Sequence, residues 1–158
     1  KGKKAKTNVG WHQDWSYWDS TWKESSELLT AGIALSNVSE KSGPMKLVPG
    51  SHQWKHPGGG DFYSQEIDQS SFSVPEGETW REVAAVMQEG GLSLHDGRTI
   101  HGSGQNTSNG PRCSFAIHLR TEKSRPFDIN KSELAHRFMD DPVICPIIYG
   151  SRVDAAFE

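Results

Sequence analysis

Two histidines, one carboxylate, a serine and an arginine carry the strongest chemical signal in this chain. His12 and Asp14 stand two apart in Trp11-His12-Gln13-Asp14. On an extended strand, residues two apart project from one face, so this imidazole and this carboxylate could reach a single metal ion. The pair alone says little. A chain of this composition yields about 0.4 His-x-Asp pairs by chance. The second element is His101-Gly102-Ser103-Gly104-Gln105-Asn106, with Arg112 eleven residues beyond the histidine. On a strand, His101 and Ser103 again share a face. An arginine on the neighbouring strand offers a bidentate fork to a carboxylate, and a serine hydroxyl adds a third bond.

The elements that must position these groups read as short strands joined by turns. Glycine is abundant (16 residues), proline moderate (8), and both fall between short apolar stretches. This punctuation predicts strands near 8–14, 28–38, 45–48, 82–88, 92–96, 99–103 and 111–121, with a weaker one near 61–67. Within 28–38, Leu29, Ala31, Ile33 and Leu35 share one face at period two. Turn chemistry marks 39–44, 49–51, 89–91, 96–97 and 109–111, and 53–60 reads as a loop. After residue 121 the character changes. Ser132 could cap a short helix over 133–139, which Asp141-Pro142 would end. Seven or eight short strands in one small chain predict an all-β fold with few short helices, a sandwich or barrel closed on itself.

Length and charge bound the function classes. At 158 residues the chain has the size of one domain, 1–158, with a core over 8–121 and a tail over 122–158. A net charge of −3 gives no general footprint for nucleic acid. The basic cluster over residues 1–6 reads as a frayed tail. No apolar run approaches the roughly 18 residues of a membrane helix, and no signal peptide is apparent. Two cysteines, Cys113 and Cys145, read as free thiols in a reducing compartment, so the cytoplasm is the expected location. The expected partner is a small-molecule substrate.

Two histidines and one carboxylate with open positions is the facial set of non-haem Fe(II) oxygenases. Here the chain resembles the phytanoyl-CoA dioxygenase family of Fe(II)/2-oxoglutarate oxygenases. The likeness rests on His12-x-Asp14, on His101 some ninety residues later, and on Arg112. The stretches 42–52 (Ser-Gly-Pro-Met-Lys-Leu-Val-Pro-Gly-Ser-His) and 101–106 add to it, and it covers about residues 8–121. The resemblance implies a double-stranded β-helix, a cupin-like jelly roll with the metal near one mouth. It implies that His12, Asp14 and His101 bind Fe(II), and that Arg112 and Ser103 hold the distal carboxylate of 2-oxoglutarate. With O2 as oxidant, the co-substrate would be decarboxylated to succinate and CO2 while an unactivated C–H bond is hydroxylated. Family members carry a long segment before the His-x-Asp strand. Only eleven residues precede His12 here, so the expectation is either a fragment lacking an upstream N-terminal segment or a trimmed barrel.

Other residues are weighed against plainer roles. Trp11, Trp15, Trp18 and Trp22 are spaced 4, 3 and 4, one face of a helix, yet Trp11 belongs to the expected metal strand. A loop folding aromatics over the pocket fits better, with Trp15 and Trp18 as substrate-wall candidates and Trp11 and Trp22 as core. His118 shares parity with Arg112 and is a further substrate-side candidate beside a structural role. His95 reads as packing or surface, His52 as support for the 49–51 turn, and His56 and His136 as exposed. Two rival functions remain: a cupin-like metal enzyme without oxygenase chemistry, which would not need Arg112 and Ser103 at these spacings, and an inactive or binding barrel fragment.

Overall fold

The computed structural model describes residues 2, 7–55, 59–65, 68–127 and 141–150. The expected helix over 133–139, the basic cluster apart from Gly2, and His56 and His136 lie outside them. Among the described residues there are seven strands: β1 (Val9–His12), β2 (Leu28–Ala34), β3 (Met45–Leu47), β4 (Val83–Ala84), β5 (Leu92–Asp96), β6 (His101–Ser103) and β7 (Ser114–Arg120). A single helical turn, α1 (Trp15–Trp18), follows β1. The strands form two sheets, β1-β6-β3-β4 and β5-β2-β7. The chain has the all-β character that the turn-punctuated sequence predicts and the jelly-roll architecture that the family resemblance implies.

The chain divides into two compact units. The first holds 1–17 and 28–119 and contains both sheets, apart from the last residue of β7. Its core gathers Trp11, Val48, Trp54, Phe72 and Ile100. Trp80 packs against them, edge-on to Trp11 at 5.2 Å between ring centres. Trp11 is therefore core, as its sequence context suggests. The outer aspect of the three-stranded sheet is less enclosed, and Leu35, Leu92, Leu94 and Phe115 are each more than half exposed.

The second unit holds 18–27 and 120–158. Its two segments are tied by Lys23 N–H to Arg125 C=O at 2.8 Å and Phe127 N–H to Thr21 C=O at 2.8 Å. Trp22 is buried and pairs with Pro126, while the Arg120 guanidinium stands 5.7 Å from its ring centre.

Two expectations about local structure change. No strand forms over the described residues 61–65, where the chain makes a turn. Gly60 and Gly10 explain why. A Cβ on Gly60 would sit 1.7 Å from the Trp11 carbonyl oxygen, and one on Gly10 would sit 2.1 Å from that of Asp61. The segment crosses β1 at very short range and gives it one backbone bond, Gly10 N–H to Phe62 C=O at 3.2 Å, not a ladder. The second change is α1. The segment after the metal strand starts as a helical turn, and Trp22 N–H bonds back to Trp18 C=O at 2.9 Å.

Candidate metal centre

β1 and β6 run antiparallel, with His12 directly opposite His101. The register shifts between Val9 and His12, an irregularity of the kind that re-aims a side chain. The two imidazoles consequently stand with ring centres 4.2 Å apart. Asp14 arrives differently from the sequence expectation. β1 ends at His12, and Asp14 sits in the turn that starts α1, where its carbonyl accepts from Tyr17 N–H at 3.0 Å. The buried Gln13 carboxamide donates to the Arg98 carbonyl, and Trp15 N–H donates to Gly97 C=O at 2.9 Å. These bonds pin the turn against the β5–β6 connection. The convergence of His12 and Asp14 comes from this turn, not from strand alternation.

Ring tautomers follow from the backbone. His12 Nδ1 lies 2.8 Å from Gly10 C=O, and His101 Nδ1 lies 2.9 Å from Thr99 C=O. A carbonyl can only accept, so each Nδ1 carries a proton and each Nε2 is the ring nitrogen left to face a metal. Both Nε2 atoms stand 3.6 Å from Asp14 Oδ1. One donor atom from each of the three residues lies within 4.8 Å of the other two.

Protonation suits a cation. Burial, reinforced by the nearby His12 and His95 and opposed by Asp14, pushes the His101 pKa down to about 4, so the ring is neutral near pH 7. Burial alone would raise the Asp14 pKa. Contacts with His12 and His95, the field of His101 and the Thr30 hydroxyl outweigh it and hold the carboxylate well below its ordinary range. Two imidazole Nε2 atoms facing one ionised carboxylate are a donor set that fits Fe(II).

Ser51 and Asn106 shape the surroundings of this centre. Ser51 Oγ–H donates to Val48 C=O at 2.7 Å and accepts from Ile100 N–H at 2.8 Å, which ties the residue before His101 to the turn after β3. Ser51, not the exposed His52, supports that turn. Asn106, 1% exposed, donates to Gly110 C=O at 2.9 Å and accepts from Ser108 N–H at 3.0 Å and Ser108 Oγ–H at 2.6 Å. It thereby fixes the loop leading to Arg112. Gly43, in the left-handed region at φ 66°, lets the 39–44 turn close on this loop, since a Cβ there would lie 2.5 Å from Gly104 C=O.

The remaining candidates are placed as follows. Ser103 is buried on β6, two residues from His101. Arg112 lies just before β7 and is partly buried, and burial lowers its pKa below the ordinary guanidinium value. Trp15 is half-buried, with the Arg98 guanidinium 3.7 Å from its ring centre. Trp18 opens the second unit. His118 is an exposed position on β7, and its Nδ1 lies 3.1 Å from Thr30 Oγ1.

Four residues at the centre are not singled out for it by the sequence. His95 is neither packing filler nor surface. It is 5% exposed, its Nε2 lies 3.7 Å from Asp14 Oδ2, and its ring centre is 4.5 Å from that of His101. Thr30 Oγ1–H donates to Asp14 Oδ2 at 2.7 Å. Phe62 stands edge-on to His12 with ring centres 5.0 Å apart, and Tyr17 lies at 6.3 Å, its hydroxyl accepting from Phe62 N–H at 2.9 Å. The alternation of Leu92 and Leu94 with Ser93 and His95 was the available signal for His95, because it sets that histidine on the face opposite the leucines.

A jelly roll with two imidazoles and one carboxylate converging from β1, its following turn and β6 belongs to the class of non-haem metal proteins with a facial ligand set. Residues 1–114 match the family model described as phytanoyl-CoA dioxygenase (PhyH). The chain belongs to the phytanoyl-CoA dioxygenase family, whose cofactors are Fe(II) and 2-oxoglutarate. It is 37% identical over 105 residues to a probable alpha-ketoglutarate-dependent hypophosphite dioxygenase of Stutzerimonas stutzeri, covering 63% of this chain and 35% of that protein. It is 33% identical over 125 residues to an ectoine dioxygenase of Halomonas elongata, covering 71% of this chain and 38% of that protein. The chain thus spans little more than a third of the length of these relatives. Among solved structures, EvdO2 from Micromonospora carbonacea var. aurantiaca complexed with 2-oxoglutarate shares the fold. The TM-score is 0.61 at 24% identity, over 81% of this chain and 50% of that one. No helix among the described residues is long and apolar enough to cross a membrane.

Proposed function

We propose that this chain is the jelly-roll core of an Fe(II)/2-oxoglutarate-dependent dioxygenase that hydroxylates an unactivated C–H bond of a small organic molecule, with release of succinate and CO2. One observation carries the reading. Asp14 Oδ1 faces His12 Nε2 and His101 Nε2 at 3.6 Å each, with both Nδ1 protons committed to backbone carbonyls. In this reading His12, Asp14 and His101 hold Fe(II). The bound metal and co-substrate supply the O2-dependent oxidation.

The other residues bind and orient. Arg112, whose charge is partly desolvated, is assigned to the distal carboxylate of 2-oxoglutarate, because an anion there offsets the cost of burying a guanidinium. Ser103, on the same strand as His101, adds a hydrogen bond to that carboxylate. Anchoring the far end would orient the co-substrate when it binds. Trp15, Tyr17 and Phe62 are our candidates for an apolar substrate wall, Tyr17 and Phe62 because their rings adjoin His12. His118 keeps a substrate-side role open through its exposed position on β7. A small-molecule substrate is the class we extend from relatives named for hypophosphite and ectoine. Two exposed cysteines, both free, favour a cytoplasmic setting.

The test is turnover of 2-oxoglutarate screened against a metabolite panel. Succinate formation that requires Fe(II) and O2, stimulated by a panel member that gains one oxygen atom, is expected. Metal-dependent conversion of a substrate without consumption of 2-oxoglutarate would replace this reading with the cupin-like one.

A further inference from the structure

Asp14 has two oxygens, and the protein treats them differently. Oδ1 faces the Nε2 atoms of His12 and His101. Oδ2 is turned toward the three-stranded sheet. There Thr30 Oγ1–H donates to it at 2.7 Å, and His95 Nε2 stands 3.7 Å away. Thr30 and His95 are direct cross-strand partners on β2 and β5. β2 is the central strand of β5-β2-β7, and on its other side His118 of β7 brings Nδ1 to 3.1 Å from Thr30 Oγ1. Threonine has one hydroxyl proton. Since Thr30 gives it to Asp14, His118 Nδ1–H must be the donor to Thr30 Oγ1. Three adjacent strands each place one side chain in a chain of contacts ending on a single carboxylate oxygen.

His95 is the unusual member. Both ring nitrogens are buried without a hydrogen-bond partner. Burying such atoms unmet is destabilising, so an apolar residue would pack this position better. Its Nε2 is aimed at Oδ2, and a shift of less than about 1 Å would bring it within ordinary hydrogen-bond reach. It is not a member of the ligand cluster. The set whose donor atoms lie mutually within 4.8 Å is His12, Asp14 and His101.

We propose that Thr30 and His95, backed by His118, are positioning residues that hold Asp14 Oδ2 away from the metal and so present Oδ1 alone as the carboxylate ligand. The proposal rests on the metal centre assigned above. A carboxylate free to rotate could chelate through both oxygens and fill a position that co-substrate or O2 must occupy. Engaging Oδ2 with donors from a rigid sheet prevents that rotation. It also fixes the carboxylate before the ion arrives, so less ordering has to accompany binding.

The experiment uses the full chain, freed of metal and titrated with Co(II), whose visible spectrum reports ligand number and geometry. Wild-type protein should bind one Co(II). Thr30→Val, which keeps the shape of the side chain, and His95→Phe should each weaken Co(II) binding about 10- to 100-fold and change the spectrum. Thr30→Ser should restore both. The metal-free melting temperature of His95→Phe should be unchanged or higher, because two unmet nitrogens have been removed. Should His95→Phe fail to fold, Thr30→Val and Thr30→Ser decide the matter. Unchanged affinity and spectrum in Thr30→Val and His95→Phe overturn the proposal and leave the metal centre standing. So does weaker binding confined to a His95 variant whose metal-free stability falls in parallel, which would show packing. Failure of the wild-type chain to bind Co(II) would remove the metal centre and this cradle together.

Discussion

The protonation state of His101 makes the metal-free protein sensitive to acid in a window that can be calculated. Its pKa is about 4 in the folded chain, chiefly through burial, against about 6.5 for an unfolded histidine. Between these values the unfolded chain binds a proton that the folded chain refuses. Stability therefore rises with pH across the window: it is fully present above about 6.5 and is lost as pH falls toward 4. From pH 7.5 to 4.5 the loss attributable to this one group is about 2.5 kcal/mol, a large share of a typical domain's 5–15 kcal/mol. Asp14 does not confuse the measurement. Its pKa is lowered, so its contribution is lost only below the ordinary carboxylate range of about 3.9. The assay is urea unfolding in chelator at a series of pH values, for wild type and His101→Gln. Glutamine does not titrate. The stability of wild type relative to the variant should fall by about 2.5 kcal/mol between pH 7.5 and 4.5. A difference that stays flat within about 0.5 kcal/mol would refute the burial argument for His101.

Further outcomes follow from other parts of the structure. Arg112→Lys keeps the charge but loses the fork, and 2-oxoglutarate should bind the Mn(II)-loaded protein about 10- to 100-fold more weakly by calorimetry; equal affinity would make Arg112 structural only. Gly60→Ala should destabilise the fold by about 3 kcal/mol or more in chemical denaturation, because its Cβ would lie 1.7 Å from a backbone oxygen of β1. Gly59→Ala, with nothing within 4 Å of its Cβ, should stay within about 0.5 kcal/mol of wild type, and equal effects at both positions would contradict the close approach to β1. Asn106→Ala leaves Ser108 N–H without its side-chain partner and Gly110 C=O with the Ser108 hydroxyl alone, and should lower stability by about 2 kcal/mol. It should also weaken 2-oxoglutarate binding through the loop that leads to Arg112, and full co-substrate affinity in a folded variant would detach that loop from the site.

The strand pattern was largely legible because jelly-roll strands are short, and glycine, proline and asparagine mark their ends. Within the metal centre, residue types were more legible than causes. The spacing of His12 and Asp14 suggested strand alternation, whereas β1 stops at His12 and a turn pinned by Gln13 and Trp15 delivers the carboxylate. A sequence does not reveal that a strand ends two residues before its second functional group. His95 escaped because packing or surface is the ordinary role of a lone strand histidine, and only its alternation with the exposed Leu92 and Leu94 marks it as inward. Its neighbour across the sheet, Thr30, sits 65 residues away in sequence, and only the β2–β5 register joins them. The expected strand near 61–67 failed for a different reason. Gly10 and Gly60 permit a crossing so close that one hydrogen bond replaces a ladder, and pattern reading does not register close backbone approach.

The central claim is that His12, Asp14 and His101 hold Fe(II) in a form that accepts 2-oxoglutarate. Anaerobic addition of Fe(II) and then 2-oxoglutarate to the full chain tests it most directly, read by visible absorption. The account predicts a weak metal-to-ligand charge-transfer band that saturates at one Fe(II) per chain, needs both additions, and disappears in His101→Ala. No band in wild-type protein that has bound Fe(II), or an undiminished band in His101→Ala, would contradict it.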